Sequence, residues 1–202
     1  MKLRLILGDQ LNIQHSWYST VDQETLYVLY ELKQETNYVV HHIQKVVAFF
    51  SSMRSFADSL KSIGDEVIYF DIASESANNS LSDNIKKLVV EKQITKFEYQ
   101  LPDEYRLDKQ LINLCEELNI STERFDSEHF LTKREDLKSF FEGKKQLIME
   151  FFYRDMRKKY DILMDQGQPL GGQWNFDKNN RFTGYNGFRC SSNSDFNNRF
   201  WF

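Results

Sequence analysis

A chain of 202 residues, 41% hydrophobic and 28% charged with two prolines, has the make-up of one soluble α/β-sized domain plus an appendage; disordered, fibrous and two-large-domain classes are excluded. Its formal net charge of −4 argues against a strong non-specific grip on nucleic acid, so DNA is expected to be held weakly if at all. No apolar run approaches the ~20 residues that span a bilayer, and Cys115 and Cys190 form no CxxC, so membrane, disulfide-framework and zinc-framework classes fall away and a cytoplasmic setting is expected.

Along the chain, short apolar runs alternate with stretches of helical period, the pattern of a parallel α/β sheet. "LRLIL" at 3–7 reads as the first strand and breaks at once into Gly8 and Asp9, which a signal sequence would not do. "LYVLY" at 26–30 is the second strand. An amphipathic helix follows from about His41 to Ile63, with Ile43, Val46, Val47, Phe50, Met53, Ala57 and Leu60 on one face and Gly64 placed to end it. "EVIYF" at 66–70 is the third strand, and Leu81, Ile85, Leu88 and Val89 mark the next helix. "KFEYQ" at 96–100 is the fourth strand; Leu107, Leu111, Leu114, Cys115 and Leu118 stripe a helix after Pro102, where Cys115 reads as inert core. "TERF" at 122–125 completes five strands.

Thr132 and Glu135 form a capping-box pattern ahead of Leu137, Phe140 and Phe141. "QLIMEFFYRDMRKKYDILM" predicts a further helix over about 146–164, apolar on more than one side through Ile148, Met149, Phe151, Phe152, Met156 and Leu163. Residues 133–159 hold nine Lys/Arg against five Asp/Glu, a local basic excess that reads as a basic face or, more commonly, as solvated helix surface. From Phe182 to Phe202 there is no Leu, Ile, Val, Ala or Lys, and seven residues are aromatic, so an irregular or disordered tail is expected. The expected fold is therefore a parallel five-stranded sheet flanked by helices, flavodoxin- or Rossmann-like, then an extra helix and that tail. The expected organisation is an α/β domain over 1–145, the helix and a connection over 146–181, and the tail over 182–202.

In an open parallel sheet, ligands bind at the carboxyl ends of the strands. Here the first strand exits into Gly8–Leu11 and the second into Glu31–Tyr38. A single glycine in the first loop leaves the dinucleotide fingerprint absent. Asp9, Gln10, Glu31 and Glu35 supply acceptors and amide donors, while Tyr30, Tyr38 and Phe49 supply flat apolar surface. That mixture suits a neutral, aromatic, hydrogen-bonding ligand better than a phosphate. Polar loops follow strands in every α/β protein, which is the plainer reading of the same residues. His41 and His42 have no third ligand at a recognisable spacing and read as a solvated or partly packed first turn, not as a metal site. Asp103 and Glu104 reach toward the same edge or serve as charges at a helix N-terminus. Arg154, Arg157, Lys158 and Lys159 have the chemistry to meet phosphate or a partner carboxylate, but taken alone they read first as a solvent face. No GxSxG, SxxK, HExxH or Walker sequence is present, so no catalytic residue is named.

In order, "LILGDQL" at 5–11, "ETNYVVHH" at 35–42, "FFSSMRSFADSL" at 49–60, "PDEYR" at 102–106, "MEFFYRDMRKK" at 149–159 and "PLGGQWNFDKNNR" at 169–181 together resemble the N-terminal part of the photolyase-related family. That family comprises the iron–sulfur bacterial cryptochromes and (6-4) photolyases. The resemblance implies a photolyase antenna-like α/β domain that binds 6,7-dimethyl-8-ribityllumazine and passes excitation to a flavin in a separate helical domain. By motif it assigns Gly8, Asp9, Gln10, Glu35, Tyr38 and Phe49 to the chromophore pocket, the edge already reached from topology, where Tyr30 adds a ring. Phe49 stands where a smaller aliphatic side chain is expected. FAD and the family's iron–sulfur cluster are not expected in this chain, since the motifs that would hold them are absent and Cys115 and Cys190 match none of them. The chain is thus expected to be a truncated antenna-type protein, inactive alone in DNA repair. The alternatives are a docking module for a separately encoded flavin domain and an inactive remnant.

Overall fold

The computed structural model describes residues 1–176, so the tail expected over 182–202 and Cys190 lie outside the described residues. Two compact units divide the chain, one over Met1–Lys133 and one beginning at Arg134.

The first unit is built on five parallel strands: β1 (Lys2–Leu5), β2 (Thr25–Tyr30), β3 (Glu66–Phe70), β4 (Lys96–Gln100) and β5 (Ser121–Phe125). Their order is β3-β2-β1-β4-β5. Crossovers run to one side and then the other of β1, so the order reverses between β1 and β4, the switch point of a doubly wound sheet. Between the strands lie α1 (Lys33–Asn37), α2 (Ile43–Ser62), α3 (Leu81–Glu91) and α4 (Tyr105–Glu117).

Because strand side chains alternate faces, β2 feeds two cores. Leu26, Val28 and Tyr30 join Leu3, Leu5, Phe97 and Tyr99 against α3 and α4. Tyr27 and Leu29 join Ile6 against Phe50, Met53, Phe56, Ala57 and Leu60 of α2. Every residue of β2 is buried, as expected for a strand covered on both faces. Each fully enclosed Leu, Ile or Phe is worth roughly 1.5–3 kcal/mol relative to exposure. Gly64, at φ +102°, reverses the chain after α2, where a side chain would be strained.

Several expectations need correction. Ile43 and Val47 are 68% and 56% exposed. The first turns of α2 wall a cavity through Val46, Phe49 and Phe50, and only its later turns cover the sheet. A single turn of 3₁₀ helix at Ser16–Tyr18 buries Trp17 and Tyr18, and neither it nor α1 shows in the hydropathy pattern.

In the second unit α5 (Arg134–Phe141) precedes α6 (Met149–Lys159), and Phe140 packs edge-on against Phe152 at 5.2 Å. α6 is shorter than the helix expected over 146–164, because Asp161 and Leu163 take φ of +53° and +52° and turn the chain into a hairpin. Its strands, β6 (Met164–Asp165) and β7 (Gln168–Pro169), are antiparallel. Within α6 only Phe152 and Arg157 are buried, so the helix is one-sided. Arg157 is no solvent-face residue: its guanidinium donates to the carbonyls of Ile162 and Leu163 and closes that turn. No described helix is long and apolar enough to cross a membrane.

Candidate functional site

At the carboxyl ends of β1 and β2 lies a cavity of about 250 Å³. It is built where local chain reversals expose side chains instead of pairing them. The turn after β1 contributes Gly8 and Asp9, the end of β2 contributes Tyr30, α1 and its exit contribute Glu35 and Tyr38, and α2 contributes Phe49. Leu5, Leu7, Leu32 and Met53 add apolar lining. Six of the seven candidate residues therefore meet in one space.

The seventh, Gln10, is turned away. It is 1% exposed, accepts from the Leu7 amide at 3.1 Å and donates to the Gln100 carbonyl at 3.1 Å, which ties the β1 turn to the end of β4. Glu31, also weighed as a polar group at this edge, is wholly inaccessible: Arg54 donates to it with two hydrogen bonds of 2.6 and 2.8 Å, and the Tyr69 hydroxyl and the Ile72 amide complete its shell. Both residues follow apolar strands in sequence as Asp9 and Glu35 do. Only the position of their partners distinguishes them.

Residues not among the candidates complete the walls. His41, Lys45, Glu104 and Leu107 line the cavity. Glu104 and Leu107 come from the "PDEYR" segment and the first turn of α4, so a motif recognisable in the sequence delivers them. His41 touches the Tyr38 ring edge-on at 5.4 Å, whereas His42 caps α2 by accepting from the Gln44 amide at 3.2 Å.

The polar rim is acidic on balance. Asp9, Glu35 and Glu104 line it against Lys45, and Arg106, just outside, pairs with Glu35 and Glu104. Although Asp9 is in part open to solvent, partial desolvation raises its carboxyl pKa above the ordinary value, and the charges of Asp103 and Glu35 add to that. Asp103 itself is bonded to His129 Nδ1 at 2.8 Å. The Phe49 ring lies over Gly8 so closely that a Cβ at residue 8 would stand 2.4 Å from Cε1. Only a glycine at the β1 turn lets the Phe49 ring approach this closely; any Cβ there would have to displace the ring. Among the described residues no group of three His, Cys, Asp or Glu is gathered as a metal site would need. The chemistry on offer is apolar and aromatic contact with a few hydrogen-bonding and charged groups.

Fold and cavity together define an open, doubly wound α/β domain with a cavity at its carboxyl edge. The chain belongs to the family described as deoxyribodipyrimidine photo-lyase-related protein, whose pattern matches residues 4–199. It is 35% identical over 182 residues to a (6-4) photolyase of Agrobacterium fabrum, an alignment that covers 89% of this chain and 36% of that protein. It is 27% identical over 146 residues to an uncharacterized protein of Acanthamoeba polyphaga mimivirus, covering 70% of this chain and 72% of that one.

Proposed function

We propose that this chain binds a neutral heteroaromatic antenna chromophore, 6,7-dimethyl-8-ribityllumazine, in the carboxyl-edge cavity, and serves a flavin held by a helical domain. The observation that carries the reading is the convergence of Gly8, Asp9, Tyr30, Glu35, Tyr38 and Phe49 on one cavity. Family membership and the likeness to a (6-4) photolyase support it. In this reading Tyr38 and Phe49 hold the ring system, while Asp9, Glu35 and Glu104 accept hydrogen bonds from ring N–H and ribityl hydroxyl groups. The net acid of the rim disfavours phosphorylated relatives of the ligand. The bound chromophore would absorb light and pass the excitation on; light-driven repair of DNA belongs to the flavin and not to these residues.

Titration of the purified chain with the lumazine, followed by ligand fluorescence, tests the proposal. A saturable change in emission is expected. A chain with an intact far-UV spectrum that produces no change refutes it.

A second reading, a docking module for a helical flavin domain, draws on the second unit. Leu147, Met149 and Phe151 are 69%, 55% and 54% exposed and lie within one apolar stretch. A purified helical flavin domain of a photolyase-related protein should be retained by the immobilised chain; passage without retention removes this reading.

A further inference from the structure

Arg106 lies outside the cavity yet touches two of its walls. Its Nη2 donates to Glu35 Oε2 at 2.7 Å and its Nη1 to Glu35 Oε1 at 3.3 Å, a bidentate grip across 71 residues of sequence. The same guanidinium donates to Glu104 Oε2 at 3.2 Å and lies over the Tyr38 ring, 4.8 Å from its centroid. One side chain on the first turn of α4 thus holds three cavity residues, Glu35, Tyr38 and Glu104.

The segment it holds has little packing of its own. α1 is five residues long and buries none of them, and an isolated helix of that length is unstable in water. Its first turn is pinned by Gln34, which accepts from the Leu81 amide at 3.0 Å and donates to Gln110 at 3.2 Å. Tyr38, at the far end, is 58% exposed and followed by Val39 and Val40, which are 48% and 102% exposed. The Tyr38 ring meets the Arg106 guanidinium and the edge of His41. A planar, permanently charged fork can bridge a carboxylate and a ring face at once, as a lysine ammonium cannot.

We propose that Arg106 is a positioning residue: it holds residues 35–38 in place as the outer wall of the cavity, so that Glu35 and Tyr38 stand ready before any ligand arrives. As a statement about ligand affinity this rests on the chromophore reading above; as a statement about the free chain it does not. Removing the fork should leave the sheet intact, loosen the wall, and weaken binding through ordering that the ligand must then impose.

The test uses the full chain as wild type, Arg106→Ala, Arg106→Lys and Glu35→Gln. Amide hydrogen exchange without ligand reads the wall, and lumazine titration with a dissociation-rate measurement reads its consequence. For Arg106→Ala, amides of 33–40 should exchange about tenfold faster while those of β1, β2 and β4 keep their protection, and lumazine should bind about tenfold more weakly, mainly through faster release. Arg106→Lys should recover part of the affinity but not the exchange protection near Tyr38. Glu35→Gln, cutting the grip from the other side, should loosen the same amides.

Unchanged exchange over 33–40 in both Arg106→Ala and Glu35→Gln overturns the proposal, as does loosened exchange with wild-type lumazine release. If wild type itself binds no lumazine, the chromophore reading fails, and the exchange arm alone decides whether Arg106 holds the wall.

Discussion

The phenyl ring of Phe49 rests on the bare α-carbon of Gly8, its Cζ 2.5 Å from where a Cβ would stand, with Met53 Sδ behind it at 2.9 Å. The contact joins the turn after β1 to the stretch of α2 that lines the cavity. A methyl group on residue 8 forces the ring outward, which is feasible because Phe49 is 41% exposed. Gly8→Ala should therefore cost about 1–2 kcal/mol, at the low end for overpacking, yet abolish lumazine binding. Thermal melts and titration read the two effects apart. In the double substitution with Phe49→Leu, most of the lost stability should return.

Glu31 is sealed from solvent but lies just beneath Arg54, whose side chain is 53% exposed. Arg54→Ala leaves the carboxylate with only Tyr69 and the Ile72 amide, and water can enter the vacated place, so a loss of roughly 2 kcal/mol is expected in urea melts at neutral pH. Burial works to raise the Glu31 pKa, but the bonds from Arg54, Tyr69 and Ile72 outweigh it and hold it below the ordinary carboxylate value. The stability this provides is present above the unfolded pKa of about 4.3 and is lost as pH falls through the lowered folded value. In Arg54→Ala that acid-side loss should shrink, and equal acid profiles for the two proteins would exclude the assignment.

Asp65 has the opposite sign. It is 7% exposed, neither carboxylate oxygen has a hydrogen-bond partner among the described residues, and burial raises its pKa. The folded state is therefore favoured by protonation. Its contribution is fully present below the unfolded value of about 3.9 and is lost as pH rises through the raised folded value. Asp65→Asn should stabilise the chain by about 1 kcal/mol at pH 7 and by nothing at pH 3. A melting series across that range checks both ends.

His15 is 2% exposed. Its Nδ1 accepts from the Trp17 amide at 3.1 Å, so Nε2 carries the proton and donates to the Asp126 carbonyl at 2.9 Å. His15→Ala strands both partners and should cost about 1–3 kcal/mol. His15→Gln, which can supply an acceptor or a donor but not both at this span, should recover only part. Chemical denaturation of the two variants measures the difference.

Much of the fold is written locally. Leu26, Val28 and Tyr30 alternate with Tyr27 and Leu29 because successive strand residues face opposite ways, and that period is visible without coordinates. The stripe of α4 through Leu107, Leu111 and Leu114 is equally plain and is buried as expected. α1 was not legible, since five polar residues carry no period. The far end of α6 was not legible either, because its limit is set by backbone conformations at Asp161 and Leu163 that no hydropathy pattern records.

For the site, sequence alone determined the edge: which strands end in polar loops, and that those loops share one end of a parallel sheet. It also determined the family, through motifs spread along the chain. Only the tertiary structure decided which polar side chains reach the cavity. Gln10 and Glu31 are withdrawn by partners at Gln100 and Arg54, while Asp9 and Glu35 are left at the opening. A hydrogen bond selects a side chain's direction from the groups within about 3 Å of it. For Arg106 and Glu35 those groups lie 71 residues apart, and for His15 and Asp126 they lie 111 apart, distances over which local sequence carries no information about contact.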